Sequence, residues 1–205
     1  GDLGYWPKHV SKRESQRKQP LIPKMHETKL HFADGNHEDF DSLAIQSDNE
    51  VYPNVFHMKR GSTLEFPDGR VVLFMGGAES HDKEWRIEHE AAGGDRIWFP
   101  QERITEQDLM GLPDRHIDIV VSHAAPREFV VWGGGYDMLQ HDPSRMALSF
   151  VLHKYKACRP LWFFGHYHAR IRGEYQGVKY FGLNMVGFPD WWIPLPERGY
   201  PLNCP

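Results

Sequence analysis

Four short clusters carry the side chains able to do chemistry: Gly1-Asp2, Gly35-Asn36-His37-Glu38, Ser122-His123-Ala124-Ala125-Pro126 and Gly165-His166-Tyr167-His168. Together they offer a carboxylate on Asp2, an amide oxygen on Asn36 and imidazoles on His123, His166 and His168. That mixed oxygen and nitrogen set suits a borderline or hard divalent ion such as Mn, Fe or Zn better than a thiolate-seeking one. Two such ions about 3.5–4 Å apart can clamp the attacking and leaving oxygens of a phosphoryl displacement. A bridging carboxylate offsets the repulsion between them, and a hydroxide held between them is a nucleophile at neutral pH. Taken singly, each residue has an ordinary alternative. His123 can be a hydrogen-bonded histidine at a strand end, Gly-Asn a turn, and Asp2 a helix cap or a solvated acid. The histidine count, 13 against 9 Ser and 3 Thr, and the placement of most of these residues at strand ends favour reading them jointly.

The elements that must position them are short. Residues 29–33 read as a strand running into Asn36 and His37, and 39–46 as a short helix. Residues 55–75 alternate as paired strands, with Arg60-Gly61-Ser62 and Pro67-Asp68-Gly69 as the turns. Residues 83–90 fit a helix, and Thr105 caps another through Met110. An apolar strand at 117–121 leads to His123. The pattern of 143–157 predicts an amphipathic helix whose apolar surface is Met146, Leu148, Phe150, Val151 and Leu152. The run 161–164 stops at Gly165, and 171–175 with 178–183 make a hairpin turned at Gln176-Gly177. Extended backbone after 164 would project His166 and His168 to the same side. Charged residues 8–18 read as a solvated helix or loop broken by Pro20 and Pro23, residues 132–136 as a flexible glycine loop, and 187–205 as an irregular Pro-rich tail. Hairpins mixed with strand–helix alternation predict an α/β fold of packed sheets flanked by helices, in a single domain over 1–205. If the strands before Asn36, His123 and His166 share a sheet, their carboxyl ends converge on one edge, where such proteins bind ligands.

Composition narrows the class. The chain has 205 residues, 40% of them apolar and 25% charged, which suffices for one substantial core and excludes a disordered chain. Its net charge of −4 provides no global attraction for nucleic acid or an anionic membrane. No apolar run approaches the roughly 18 residues of a spanning helix, and the first residues lack a signal-peptide layout. Cys158 and Cys204 make neither a disulfide framework nor a zinc pattern, so a soluble, cytoplasmic protein is expected.

In this order, the four clusters resemble the calcineurin-like metallophosphoesterase family, whose pattern runs D-x-H, G-D, G-N-H-[DE], H, then G-H-x-H. Gly1-Asp2-Leu3-Gly4-Tyr5-Trp6 and Gly76-Gly77-Ala78-Glu79-Ser80-His81-Asp82-Lys83 are similar to its bacterial and phage members. The resemblance implies an α-β-β-α sandwich and two divalent ions, manganese first, with iron, zinc or nickel as the other choices. It implies that Asp2 bridges both ions, that Asn36, His123 and His166 complete one site, and that His168 ligates the other. His37 would stand beside the leaving-group oxygen as acid or electrostatic stabiliser, oriented by Glu38. The D-x-H motif and its strand are missing from their place upstream of Gly1-Asp2. Asp114-Arg115-His116, the sole Asp-x-His triplet, comes too late and precedes a strand, so it reads as a loop.

The expected function is therefore metal-dependent hydrolysis of phosphomonoesters or phosphodiesters, small or nucleotide-type, through attack of a metal-bridging hydroxide. The alternative is a non-catalytic metal or phosphate-ligand binding module of the same fold. The protein Ser/Thr phosphatase subgroup is disfavoured by Tyr5-Trp6 and Ala33-Asp34. Acidity disfavours long nucleic acids, since phosphate-rich ligands select basic faces. Trp132, Tyr136 and Tyr167 could stack on a base, and Arg127 could meet a phosphate. Oligomeric state is not legible.

Overall fold

The computed structural model describes residues 2–7, 27–132, 141–196 and 198. The charged segment 8–18, residues 133–136 of the glycine loop with Tyr136, and most of the last nine residues with Cys204 lie outside them. In chain order the elements are β1 (Leu30–Phe32), α1 (Phe40–Ala44), β2 (Glu50–Tyr52), β3 (Val55–His57), β4 (Thr63–Glu65), β5 (Val71–Met75), α2 (Lys83–Ala91), α3 (Glu106–Met110), β6 (Ile119–Ser122), α4 (Pro143–Tyr155), β7 (Leu161–Phe164), β8 (Ile171–Tyr175) and β9 (Val178–Gly182). Single 3-10 turns fall at Pro100–Glu102 and Lys156–Cys158.

The strands form two mixed sheets. A small one has the order β1-β3-β2, with β1 parallel and β2 antiparallel to β3. A large one has the order β4-β5-β6-β7-β9-β8. Its four central strands β5, β6, β7 and β9 are parallel, and antiparallel β4 and β8 close the two edges. Both faces of the central strands are covered, which is why they read as continuous apolar runs. Alternation then divides each strand between two cores. Val71, Leu73, Met75, Val120, Trp162 and Phe164 pack with Leu148, Val151, Leu152 and Tyr155 of α4. Val72, Phe74, Ile119 and Phe163 point the other way, into a cluster shared with Ala33 and Met58 beside the small sheet. A third cluster joins Tyr5 to Phe40, Leu43 and Phe99, which docks residues 2–7 against α1.

Local chemistry accounts for the helix ends. Asp142 caps α4 by accepting from Ser144 N at 2.8 Å, and Pro143 occupies the first turn, where it costs no hydrogen bond. The buried residues Leu148, Val151, Leu152 and Tyr155 follow the i, i+3, i+4, i+7 spacing of one helical stripe. Met146 and Phe150, expected on that apolar surface, are instead more than half exposed. Thr105 and Asp108 form a reciprocal capping box at the start of α3. Gln176 and Gly177 both adopt left-handed backbone, the pair of positive φ values that a tight β8–β9 turn requires.

Three expectations change. Residues 55–75 are not one run of paired strands: β3 belongs to the small sheet and β4 to the large one, so Arg60-Gly61-Ser62 is a crossing between layers. Strand β2 has no counterpart in the sequence reading, because Glu50-Val51-Tyr52 is too short and too polar to stand out. Finally, the strand before Asn36 does not share a sheet with those before His123 and His166. The layers meet instead where Gly77 N donates to Asp34 O at 2.9 Å, and a Cβ on Gly76 would overlap Asp34. Glycine at 76 lets the end of β5 approach the end of β1, which brings the carboxyl edges of both sheets together.

Candidate metal centre

The site forms where the segments following β1, β6 and β7 meet the segment 2–7. Asp2 sits in left-handed backbone, φ 57°, which Asp tolerates better than most residues. Its Oδ1 accepts from the backbone N–H groups of Asn36 at 3.0 Å and His37 at 3.1 Å. Its Oδ2 is left to face His123 Nε2 at 3.3 Å. The neighbouring amide of Leu3 donates to Glu38 at 2.9 Å, and Trp6 Nε1 donates to the His37 carbonyl at 2.7 Å. These bonds stitch residues 2–7 to the loop after β1. Burial works to raise the Asp2 carboxyl pKa, but His123 and His37 outweigh it and hold the group ionised well below the usual carboxylate range.

Asn36 is 3% exposed, and its orientation follows from its neighbours. Ser80 commits its hydroxyl proton to Glu102, at 2.8 Å, so Ser80 Oγ must accept from Asn36 Nδ2, at 3.1 Å. Asn36 Oδ1 is thereby turned to His123 Nε2 at 3.1 Å. His166 completes the group, its Nδ1 also 3.1 Å from His123 Nε2. One imidazole nitrogen thus faces a carboxylate oxygen, an amide oxygen and a second imidazole nitrogen. It carries at most one proton, so it can satisfy one of the three as a donor. His123 Nδ1 and His166 Nε2 are buried without a partner among the described residues. Burial, with His123 next, drives the His166 pKa well below that of a free imidazole, so the ring is neutral and able to ligate.

Separations of this size suit a shared cation. Ligand atoms about 2.1 Å from one ion lie ~3.0 Å apart at right angles, against the 3.1–3.3 Å seen from His123 Nε2. Among the described residues no three His, Cys, Asp or Glu side chains are spaced as a metal cage on their own. This cluster relies on the Asn36 amide oxygen as well, and the donor types fit a divalent ion of the Mn, Fe or Zn kind.

His168 stands apart. It is exposed, and no hydrogen bond among the described residues joins it to the cluster, although its charge acts on His166. The extended His-x-His geometry is overturned: His166 and His168 have φ of 66° and 51°, and Tyr167 N turns back to Gly165 O at 2.7 Å. Tyr167 is the anchor of that turn. It is 1% exposed and its hydroxyl accepts from Ala125 N at 3.2 Å, so it cannot stack on a ligand.

His37 lies at the rim of the cluster. Its ring touches Arg86, whose Nη2 is 3.3 and 3.4 Å from the two ring nitrogens, and burial, then the Arg86 and His123 charges, lower its pKa against the pull of Asp2. Glu38 does not orient it. Glu38 is 1% exposed, turned inward to Leu3, and burial together with the Asp2 charge pushes its pKa up to about 8. Arg86 is a residue of this cluster that has no place in the sequence reading. It is 4% exposed on α2, donates to the Asn36 carbonyl at 2.9 Å and pairs with Asp82 at 2.8 Å. The Asp82/Arg86 spacing of four on a predicted helix was its available signal. Arg127 is exposed and lies with Met146 and Phe150 beside α4 rather than in this cluster. Asp114-Arg115-His116 is an exposed loop, with Arg115 paired to Glu65 and His116 to Asp118.

Gly35 shows how tightly the parts fit. A Cβ there would overlap Asp2 Oδ1. Gly35→Ala should leave the circular dichroism spectrum intact while weakening Mn binding by roughly 10–100-fold, the usual cost of disturbing the support of a ligand. Unchanged Mn affinity in that variant would remove Asp2 from the ligand set.

No protein-family model matches the chain, and a search of curated proteins finds no match either. Among the described residues no helix is long and apolar enough to cross a membrane.

Proposed function

We propose that the chain is a metal-dependent phosphoesterase of the calcineurin-like α-β-β-α type. The observation that carries this reading is the convergence of Asp2 Oδ2, Asn36 Oδ1 and His166 Nδ1 on His123 Nε2, at 3.1–3.3 Å. These four side chains would hold one divalent ion, manganese first, and Asp2 with His168 would contribute to a second. When bound, the ions supply Lewis-acid charge to the phosphoryl oxygens and an activated water.

The protein's own residues do the rest. Asp2 is fixed by two loop amides, so its free oxygen is aimed before any ligand arrives. Asn36 is locked by Ser80. His37 stands next to this donor set without belonging to it, positioned to hydrogen-bond the leaving-group oxygen as charge develops there. Arg86 backs the His37 ring and disfavours a second positive charge on it, which fits stabilisation by a neutral N–H.

The exposure of His168 favours a second reading, a one-ion binding module without turnover. One experiment separates them. Mn-loaded protein should hydrolyse bis-para-nitrophenyl phosphate, and a chelator should abolish the activity until Mn is restored. Activity indifferent to chelation would sink the phosphoesterase, and one tightly bound ion with no turnover would select the module.

A further inference from the structure

A pocket of about 450 Å³ opens directly beside His37, and nothing in the chemistry above uses it. Trp6, Trp85 and Ile97 give it flat apolar walls, and Asp82 and Asp95 give it carboxylates. Its size lies within the range of small-molecule sites. Trp85 is 57% exposed although its indole is a large apolar surface, and it stacks on His89 with 19° between the rings. Trp6 is pinned by its bond to the His37 carbonyl, so its face is set before a ligand enters.

Hydrogen-bonding capacity decides which part of a substrate fits. Arg86 lines the pocket, but its donors are engaged by Asp82, the carbonyls of Asn36 and Ile97, and the His37 ring. Asp82 is itself paired with Arg86, but a carboxylate has about four lone-pair sites, so Asp82 and Asp95 can each still accept from a ligand's hydrogen-bond donors. Indole faces select a planar aromatic group, and base–aromatic stacking tolerates any base.

We infer that this pocket is the leaving-group subsite for a phosphoester whose alcohol is a nucleoside, with the base against Trp85 and Trp6 and its hydroxyl or amino donors directed to Asp82 and Asp95. The inference rests on the phosphoesterase reading for the position of the phosphoryl group, but the pocket itself can be tested without turnover. Adenosine and cytidine, lacking phosphate, should bind the Mn-loaded protein in isothermal titration. Trp85→Ala should weaken that binding about tenfold, and Trp85→Phe should restore most of it. In phosphate-release assays, Trp85→Ala should lower the preference for a nucleoside monophosphate over methyl phosphate by a similar factor. The inference is overturned if neither nucleoside binds at millimolar concentration, or if Trp85→Ala and Trp6→Ala bind them as wild type does. Nucleoside binding that depends on Trp85, with no phosphate released from either ester, would keep the pocket and remove the phosphoesterase instead.

Discussion

His123→Ala is expected to lower the hydrolysis of bis-para-nitrophenyl phosphate by roughly a thousandfold, and to lower the bound Mn with it. The residue stands at the centre of the donor group, and its Nε2 is the atom from which the other three are spaced. Removing it would take away one of the four proposed ligands and leave Asp2 Oδ2 and Asn36 Oδ1 without the nitrogen they face. Lewis-acid stabilisation of the transition state supplies several kcal/mol, and at about 1.36 kcal/mol per decade that is some three decades of rate. His123 is 2% exposed, so folding must be followed in parallel by near-UV circular dichroism. A folded variant that keeps more than about a tenth of the wild-type rate would show that this cluster is not the reacting centre. His116, exposed and paired with Asp118 at the opposite, N-terminal end of β6, is the control substitution.

Asp34→Asn is expected to destabilise the protein by about 3–5 kcal/mol, the cost of leaving a buried charge without its partner. Asp34 is 2% exposed and binds Arg60 through Nε at 3.0 Å and His57 Nε2 at 3.2 Å. Arg60 also donates to the carbonyls of Arg103 at 2.6 Å and Gln101 at 2.8 Å, so the pair ties β1 to the crossing after β3 and to the turn before α3. Burial tends to raise the Asp34 pKa, but Arg60 and then His57 bring it well below the usual carboxylate range. The sign of the pH dependence follows. A carboxylate with a depressed folded pKa contributes fully above its unfolded value of about 3.9, and loses that contribution progressively as pH falls from there through the lower folded value. Urea denaturation should therefore give a wild-type advantage that holds from about pH 5 upward and shrinks steadily as pH falls below about 4. A difference under about 1 kcal/mol would place the pair among ion pairs of surface strength.

The residues named from the sequence differ in how fully their surroundings could be read. Asn36, His123 and His166 follow apolar runs whose ends are sharp, so their place at strand termini was legible. The short elements with strong local chemistry were legible too: the Thr105 cap, the Pro143 start and the Gln176-Gly177 turn. What joins distant segments was not. The sharing of strands between two sheets depends on long-range pairing, which a period of two cannot express. The backbone at His166 and His168 is left-handed where extended backbone is expected, a turn set by the burial of Tyr167 that the sequence pattern does not express. Nothing in the sequence separates Arg86 from a helix-surface charge, since only the folded chain brings α2 against the Asn36 carbonyl. The resemblance implies that Glu38 orients His37, yet these consecutive side chains point to different surroundings.

Asn36 rides on the small sheet, while His123 and His166 ride on the large one. An ion gripped by all three, as proposed, would be a rivet through both layers. Closure of the interlayer seam and assembly of the donor set would then be one thermodynamic event, and slip between the sheets would change affinity for the cation.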